Sequence, residues 1–184
     1  MQILNKDSIC LLTVDSDTLC GANLSGEYLY GADLRYANLH HADLRGADLR
    51  YADLRYADLR YADLRYADLR DADLRYADLR YTDLRAANLC AADLRAANLC
   101  AANLHHVNLR DANLRDAKIN WNSHDLIAEI LRQNAREDIE KLQIPGLIIL
   151  LKDKCWDYFL KLDHPQKGWA IQVLKDYGCK NITN

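Results

Sequence analysis

The sequence predicts a mainly β solenoid of about five square coils, followed by a small all-α C-terminal domain. Through the centre of the chain a leucine falls at every fifth position, with an alanine two residues before it and an aspartate or asparagine one before. At Trp121 this regularity ends, and apolar residues then recur at helical spacing. The predicted parts are residues 1–20, an N-terminal cap with a first partial coil, the repeats 21–120 and the helical domain 121–184.

A period of five residues fits neither a helix nor a straight strand. Five residues of α-helix turn about 500°, so successive leucines would spiral around the helix without a common face. Five is also odd, so in a straight strand successive leucines would point to opposite faces. The leucines share one interior only if the chain turns a corner at each repeat. Four corners then close a square coil of about twenty residues, and successive coils stack like parallel strands.

The repeats resemble the pentapeptide-repeat family, whose motif is A(D/N)LXX, over roughly residues 21–120. The resemblance implies a right-handed quadrilateral β-helix, in which the leucine and the small alanine two residues before it both point inward. Glu27, Thr82 and Val107 depart from the motif by replacing that alanine. Residues twenty apart are expected to lie above one another, which predicts a core ladder of Leu34, Leu54, Leu74, Leu94 and Leu114.

The segments beside the repeats are expected to cover the open ends of the solenoid, where leucines and backbone groups would otherwise be exposed. Val14 and Leu19 already fall on the five-residue register, so a first coil is expected to begin there, with Gln2–Leu12 as the cap. The helical domain is expected to cap the other end, although its size leaves a binding module open. Its last predicted helix follows Pro165 and carries Trp169 on its apolar face.

Arginine and tyrosine recur along one face of the predicted coils. Both residue types are enriched at interface hot spots, so this column predicts a docking face. The candidate interaction face comprises Arg35, Tyr36, Arg55, Tyr56, Arg75, Tyr76 and Arg95. The competing interpretation is structural, because tyrosine favours exposed β positions and stacks well on its neighbours. Single exposed aromatic residues need no partner, which favours the structural interpretation.

The sequence contains no recognisable catalytic or metal-binding pattern. Phosphate-binding glycine loops, GxSxG and HExxH are all missing, so we expect no enzyme activity, no cofactor and no metal. The pairs His40/His41 and His105/His106 lack carboxylates or cysteines at ligand spacing and are interpreted as solvated surface histidines. A solenoid filled by leucine and alanine is also expected to leave no interior cavity for a substrate.

The six cysteines do not suggest a disulfide framework. Cys90 and Cys100 are ten residues apart, which places them on opposite faces of a square coil, too far apart to bond. The preferred interpretation is reduced thiols, while a pairing of Cys155 with Cys179 stays open. We expect a bacterial protein of the cytoplasm, since no apolar run is long enough to cross a bilayer and no signal-peptide pattern is visible.

Taken together, these features predict a non-catalytic scaffold that binds an unidentified protein through the solenoid faces or the helical domain. The family resemblance implies an alternative, because some members resemble duplex DNA and bind type II topoisomerases such as DNA gyrase. A DNA mimic needs a continuous acidic face. Residues 21–120 carry 14 Asp and one Glu against 13 Arg and one Lys, a net charge of −1, and the signs alternate. The scaffold is therefore preferred, and neither nucleic acid nor membrane is expected as a partner.

Overall fold

The computed structural model describes residues 1–118 and 167–176, and the chain divides into two compact units, Met1–Ile119 and Asn120–Asn184. In the first unit the chain turns a corner every five residues. Parallel bridges join residues twenty positions apart, from the first pair, Asn23 with Asp43, to the last described pair, Asn98 with Lys118. Four pentapeptides therefore make one coil, and each coil lies on the one before it.

Each pentapeptide contains five positions with separate structural roles. In Ala72–Tyr76 these are, in order, the inner alanine, the Asx position, the central leucine, the arginine position and the corner. The corner is the third residue of a four-residue turn, which begins at the central leucine and ends at the inner alanine of the next pentapeptide.

Three of the five amides in this pentapeptide bond to neighbouring coils. The amide of Asp73 donates to an inner-alanine carbonyl of the preceding coil at 2.9 Å. The amides of Leu74 and Tyr76 donate to carbonyls of the following coil at 2.8 and 3.1 Å. Because a corner follows so soon, each side of a coil holds isolated bridges rather than a continuous strand. The solenoid therefore contains less regular strand than its mainly β prediction suggests.

The other two amides are bonded within the repeat itself. The amide of Ala72 donates to the preceding central leucine at 3.1 Å and closes the turn. The amide of Arg75 donates to the carboxylate oxygen Oδ1 of Asp73 at 3.3 Å. An asparagine serves equally, since the Arg110 amide donates to Oδ1 of Asn108 at 3.1 Å. The Asx position thus needs a side-chain oxygen but not a charge.

Central leucines and inner alanines fill the interior of the first unit. Every central leucine from Leu19 to Leu114 is buried. The predicted core ladder is at most 3% exposed at each of its members: Leu34, Leu54, Leu74, Leu94 and Leu114. Val14 is only partly buried, so the buried column starts one repeat later than expected, at Leu19.

Of the three residues that replace an inner alanine, Thr82 and Val107 are buried in this core and Glu27 is partly buried. Thr82 is fully buried, and its hydroxyl donates to the carbonyl oxygen of Leu59 at 2.7 Å. This bond removes the penalty of burying an unpaired hydroxyl group. Val107 is 1% exposed in the last described coil. Thr82 and Val107 therefore keep an inward position.

The corners adopt the left-handed backbone conformation. Gly21, Gly26, Gly31 and Gly46 occupy four of them, but most corners carry a side chain at the same angle, such as Tyr56 with a φ of 61°. A positive φ at the third residue of a four-residue turn is the type II geometry, which favours glycine. In this conformation a non-glycine residue costs about 1–2 kcal/mol.

The N-terminal residues form an antiparallel hairpin of β1 (Gln2–Leu4) and β2 (Cys10–Thr13). The carbonyl of Leu4 accepts the amide of Asp33 at 2.8 Å, and Asn5 bridges Ala32 in antiparallel orientation. In later coils the equivalent amide donates to the preceding coil. The hairpin therefore replaces a preceding coil on this side of the solenoid.

Of the second unit, the structure describes one helix, α1 (Lys167–Asp176). It follows Pro165 as the sequence predicts, and it buries Ala170, Ile171 and Val173. The other predicted helices of residues 121–184 lie outside the described residues, so the all-α domain and its role as a cap stay predictions. In the described parts of the chain, no helix has the length and apolar character required to cross a bilayer.

The corner geometry predicts opposite effects for two adjacent alanine-to-glycine substitutions. Ala91 is a corner with a φ of 59°, whereas Ala92 is a fully buried inner alanine. We expect Ala91→Gly to raise the free energy of unfolding by up to about 1 kcal/mol, because it relieves left-handed strain. Ala92→Gly should lower it by about 1 kcal/mol, because it removes a buried methyl and adds backbone freedom. Urea denaturation measures both, and a shift in the same direction for the two variants would contradict the assigned corner.

Candidate interaction surface

Four faces run along the first unit, each built from pentapeptides twenty residues apart. Face 1 contains the central residues Leu34, Leu54, Leu74, Leu94 and Leu114. Face 2 comes next along the chain, with Leu39, Leu59, Leu79 and Leu99. The first corner column, between these faces, consists of Tyr36, Tyr56, Tyr76, Ala96 and Asp116. The second corner column, at the far edge of face 2, consists of His41, Tyr61, Tyr81 and Ala101.

The arginines of the candidate interaction face are held by aspartates of face 1. In Arg75, Nε donates to Oδ1 of Asp73 at 2.8 Å and Nη2 donates to Oδ2 at 2.6 Å. Three further arginines make the same pair of bonds: Arg35, Arg55 and Arg95. Arg75 also lies 3.6 Å from the carboxylate of Asp93 in the next coil. The bidentate contacts fix each guanidinium plane, and the longer contacts of Arg35, Arg55 and Arg75 link successive coils by charge.

The arginines lower the pKa of three of these aspartates, Asp33, Asp53 and Asp93. For Asp33 and Asp93, the side-chain hydrogen bond from the neighbouring arginine is the largest cause, and it outweighs burial, which raises the pKa. Asp53 is the most buried of these carboxylates, with 5% of the residue exposed. Burial is the largest influence on Asp53 and raises its pKa, but the bonds and charge of Arg55 together hold it below its usual value.

A shallow polar groove runs along face 1, with a volume of about 350 Å³. Its lining combines one residue of the hairpin loop with three Asp–Arg pairs: Lys6, Asp33, Arg35, Asp53, Arg55, Asp73 and Arg75. Since both signs of charge alternate there, the groove offers hydrogen-bond donors and acceptors rather than a field of one sign.

The tyrosines of the candidate interaction face form a continuous stack. The ring centroids of Tyr36 and Tyr56 lie 5.0 Å apart, and those of Tyr56 and Tyr76 lie 4.9 Å apart, with interplanar angles of 4° and 3°. Despite this contact the residues are 72%, 48% and 55% exposed in chain order. The structure thus brings the seven predicted residues together along one edge, as a ring column beside an arginine column.

The second corner column forms a similar aromatic stack that the sequence analysis did not identify. Tyr61 lies 4.9 Å from Tyr81 at an angle of 5°, and His41 stacks on Tyr61 at 5.1 Å. Face 2 therefore lies between two aromatic columns. The signal was present in the sequence as aromatic residues at positions 41, 61 and 81, with the same twenty-residue spacing as the first column.

The two histidine rings of each pair are in contact. His40 and His41 meet edge to face at 4.2 Å, and His105 and His106 do so at 4.0 Å. Within residues 1–118 and 167–176, no three histidine, cysteine or acidic side chains are grouped so that they could hold a metal ion. The first pair instead extends the second aromatic column.

The cysteines of the described segments are free thiols. Cys10 and Cys20 are exposed, whereas Cys90 and Cys100 are partly buried in the same coil. The possible pair of Cys155 and Cys179 lies outside the described residues and stays a prediction.

Comparison with protein families confirms the resemblance that the motif indicates. A family described as pentapeptide repeats matches the chain with 8 copies, over residues 18–50, 52–89 and 92–121. These segments together cover more than half of the chain. A search of curated protein sequences found no significant match.

Comparison with solved structures identifies the architecture. HetL, a pentapeptide repeat protein involved in heterocyst differentiation regulation from the cyanobacterium Nostoc sp. strain PCC 7120, is 40% identical with a TM-score of 0.52. The match covers 55% of this chain and 50% of HetL, so it spans half of that protein. This likeness and the repeats assign the first unit to the right-handed β-helix solenoids.

Two further solved proteins match similar shares of this chain. The protein alr5209, a pentapeptide repeat protein from Nostoc PCC 7120, is 45% identical over 47% of this chain and 68% of its own, with a TM-score of 0.27. QnrB1, a plasmid-mediated fluoroquinolone resistance protein, is 20% identical over 54% of this chain and 59% of its own, with a TM-score of 0.26. At such low TM-scores, neither match supports an argument about the fold or function of this chain.

The lowered aspartate pKa values predict a loss of stability in acid. A carboxyl group whose folded pKa lies below its unfolded value contributes stability above the unfolded value, about 3.9, and loses it as the pH falls through the folded pKa. We expect the urea midpoint to change little between about pH 7 and 5 and to fall below about pH 4. Asp33→Asn/Asp93→Asn should lower the midpoint at neutral pH and reduce its fall in acid.

Asparagine keeps the side-chain oxygen for the turn at these two positions, so the comparison isolates the ion pairs. The control is Asp17→Asn, which changes an exposed aspartate outside the Asp–Arg pairs. If the urea midpoint of the double variant falls in acid as steeply as that of the unmodified protein, these pairs do not set the pH dependence.

Proposed function

We propose a function from the premise that the chain belongs to the pentapeptide-repeat family. In this proposal it is a non-catalytic scaffold that binds a protein partner through the candidate interaction face. The observation that carries the proposal is the alignment of three stacked, exposed tyrosines beside a column of fixed arginines along one edge. HetL is involved in the regulation of heterocyst differentiation, and the likeness to it supports a regulatory rather than a metabolic role.

The rigidity of this edge favours binding. Each ring of the first corner column stacks on at least one neighbouring ring, so little side-chain freedom remains to be lost on association. Tyrosine and arginine also supply the contacts that dominate many interfaces. A guanidinium has five N–H donors, and the pair of bonds to aspartate uses two, so donors remain for carbonyl or carboxylate oxygens of a partner.

The buried core supports a role for the outer surface. Central leucines and inner alanines occupy the interior of the solenoid throughout the described coils. A partner would therefore contact the faces and corner columns rather than enter the coil. Face 1 adds its polar groove to the tyrosine edge, which combines apolar contact with directional hydrogen bonds.

The charge arrangement opposes the alternative of a DNA mimic that binds DNA gyrase. Eleven aspartates of the repeats each accept two bonds from the arginine two residues later, as at Asp43 and Asp83. Opposite charges in direct contact leave little potential beyond a Debye length of about 8 Å at physiological salt. Electrostatic attraction to a DNA-binding surface would therefore be weak.

The scaffold proposal predicts that one tyrosine column selects the partner. The protein would be immobilised and exposed to a lysate of its source organism. The triple variant Tyr36→Ser/Tyr56→Ser/Tyr76→Ser should recover at least about tenfold less of any specifically retained protein, because it removes the stacked rings. The matched control, Tyr28→Ser/Tyr51→Ser/Tyr66→Ser, removes three exposed tyrosines outside this column and should retain the partner. Equal losses for the two variants would contradict the assigned surface.

The gyrase alternative has a direct test. A supercoiling assay titrated with the purified protein should show no inhibition at low micromolar concentration, because the faces are neutralised at short range. Inhibition that added salt relieves would favour DNA mimicry and overturn the scaffold proposal.

A further inference from the structure

One coil of the solenoid carries alanine at all four corners. These residues are Ala86, Ala91, Ala96 and Ala101. The preceding coil instead carries Tyr66, Asp71, Tyr76 and Tyr81 at the same columns. The four alanines keep the left-handed backbone of the other corners, with φ from 56° to 61°. The backbone column therefore continues through this coil while the side-chain column is interrupted.

The interruption leaves one face of the Tyr76 ring open. Tyr56 stacks on one face at 4.9 Å, and among the described residues no ring or guanidinium contacts the other. The next corner after Tyr76 in this column is Ala96, with its methyl group, and the corner after that is Asp116. We call this space, between Tyr76 and Asp116 at the corner of Ala96, the Ala96 notch. With coils stacked about 4.8 Å apart, it has room for one planar group.

Asp116 is available to a ligand in this notch. The Asx position before Arg115 is an asparagine, so Arg115 lacks the two-bond contact of the other pairs. Its Nε lies 3.6 Å from Oδ2 of Asp116. The side chains of this pair are 71% and 62% exposed. Such exposed pairs are weak. Arg95 lies just before Ala96 and donates two hydrogen bonds to Asp93, which holds its positive charge.

The notch differs from the other alanine corners in its chemistry. At Ala86 the column runs from Tyr66 to His106, with no carboxylate. At Ala91 it runs from Asp71 to Asp111, with no ring. At Ala101 the next corner lies beyond the described residues. Among the three columns described on both sides, only the Ala96 notch therefore places an aromatic ring opposite a carboxylate.

We propose that the Ala96 notch binds an arginine side chain of the protein partner. The guanidinium stacks on the open face of Tyr76 and forms an ion pair with Asp116. Arginine fits better than lysine because it is planar, stacks on rings and bonds carboxylates through two donors. An aromatic side chain would leave the carboxylate unused. This inference rests on the proposed function, because Tyr76 belongs to the candidate interaction face, and it adds the chemistry that the partner presents.

The test is a titration of the full-length purified protein with blocked tripeptides, followed by NMR of the Tyr76 ring and the Ala96 methyl group. Acetyl-Gly-Arg-Gly-amide should shift both signals saturably. The lysine and citrulline peptides should bind about 3- to 10-fold more weakly, because one lacks the plane and the other the charge. The Tyr66 ring, beside the notch without a carboxylate, is the internal reference and should shift less.

Three variants complete the test. Tyr76→Leu and Asp116→Asn should each weaken binding of the arginine peptide about 3- to 10-fold. Ala96→Tyr fills the notch and should abolish binding, while an unchanged thermal transition shows that the fold is retained. The inference is overturned if no saturable shift occurs at Tyr76, if citrulline binds as tightly as arginine, or if Asp116→Asn leaves the affinity unchanged. Such a failure leaves the scaffold proposal standing as long as capture of the partner still depends on the tyrosine column.

Discussion

The structure depends on one constraint, which is that every amide in a five-residue repeat must find an acceptor while the chain turns a corner. In Ala72–Tyr76 three amides reach neighbouring coils, one closes the turn, and one bonds the Asx side chain. Unpaired backbone groups are costly when water is excluded, so each position carries a separate requirement. The leucine fills the core, the alanine leaves room for it, and the Asx oxygen completes the set of acceptors.

Vertical alignment follows from this pattern and generates the surface. Because the coil is twenty residues long, any side chain repeated at that spacing lies directly over its copy. Tyrosines then stack at about 4.9 Å, and where the next coil also carries an aspartate at the Asx position, the held arginine lies near it, as Arg55 does with Asp73 at 3.5 Å. The same alignment would place like charges together. The Asp–Arg pairs offset the repulsion between these like charges, because each charge is neutralised within its own repeat.

The period of five made the coil, its core and the tyrosine edge predictable, because each depends only on spacing. Other features depend on competition between interactions that spacing does not reveal. Val14 has the register of a central residue, yet the hairpin supplies the acceptor for Asp33 and leaves Leu19 as the first buried member. The aromatic stack of the second corner column was not predicted, because its first aromatic residue is a histidine, His41, and only the tyrosines were compared. Strand content was overestimated because each corner limits pairing to isolated bridges.

At the corners, the fold constrains the backbone and leaves the side chain available for recognition. A corner contributes only a left-handed backbone and an amide to the solenoid, so glycine, alanine, aspartate, histidine and tyrosine all occupy it with φ between 56° and 71°. Its side chain is therefore free to vary without altering the coil, and a partner can read that variation along a straight column. Face 2 lies between two such columns, and both lose their rings at the same coil, at Ala96 and Ala101. A rigid column that stops at a defined height gives a partner both a surface to contact and a position along the axis. In the proposed scaffold, the interruption would specify the register of binding, which a uniform tyrosine column could not do.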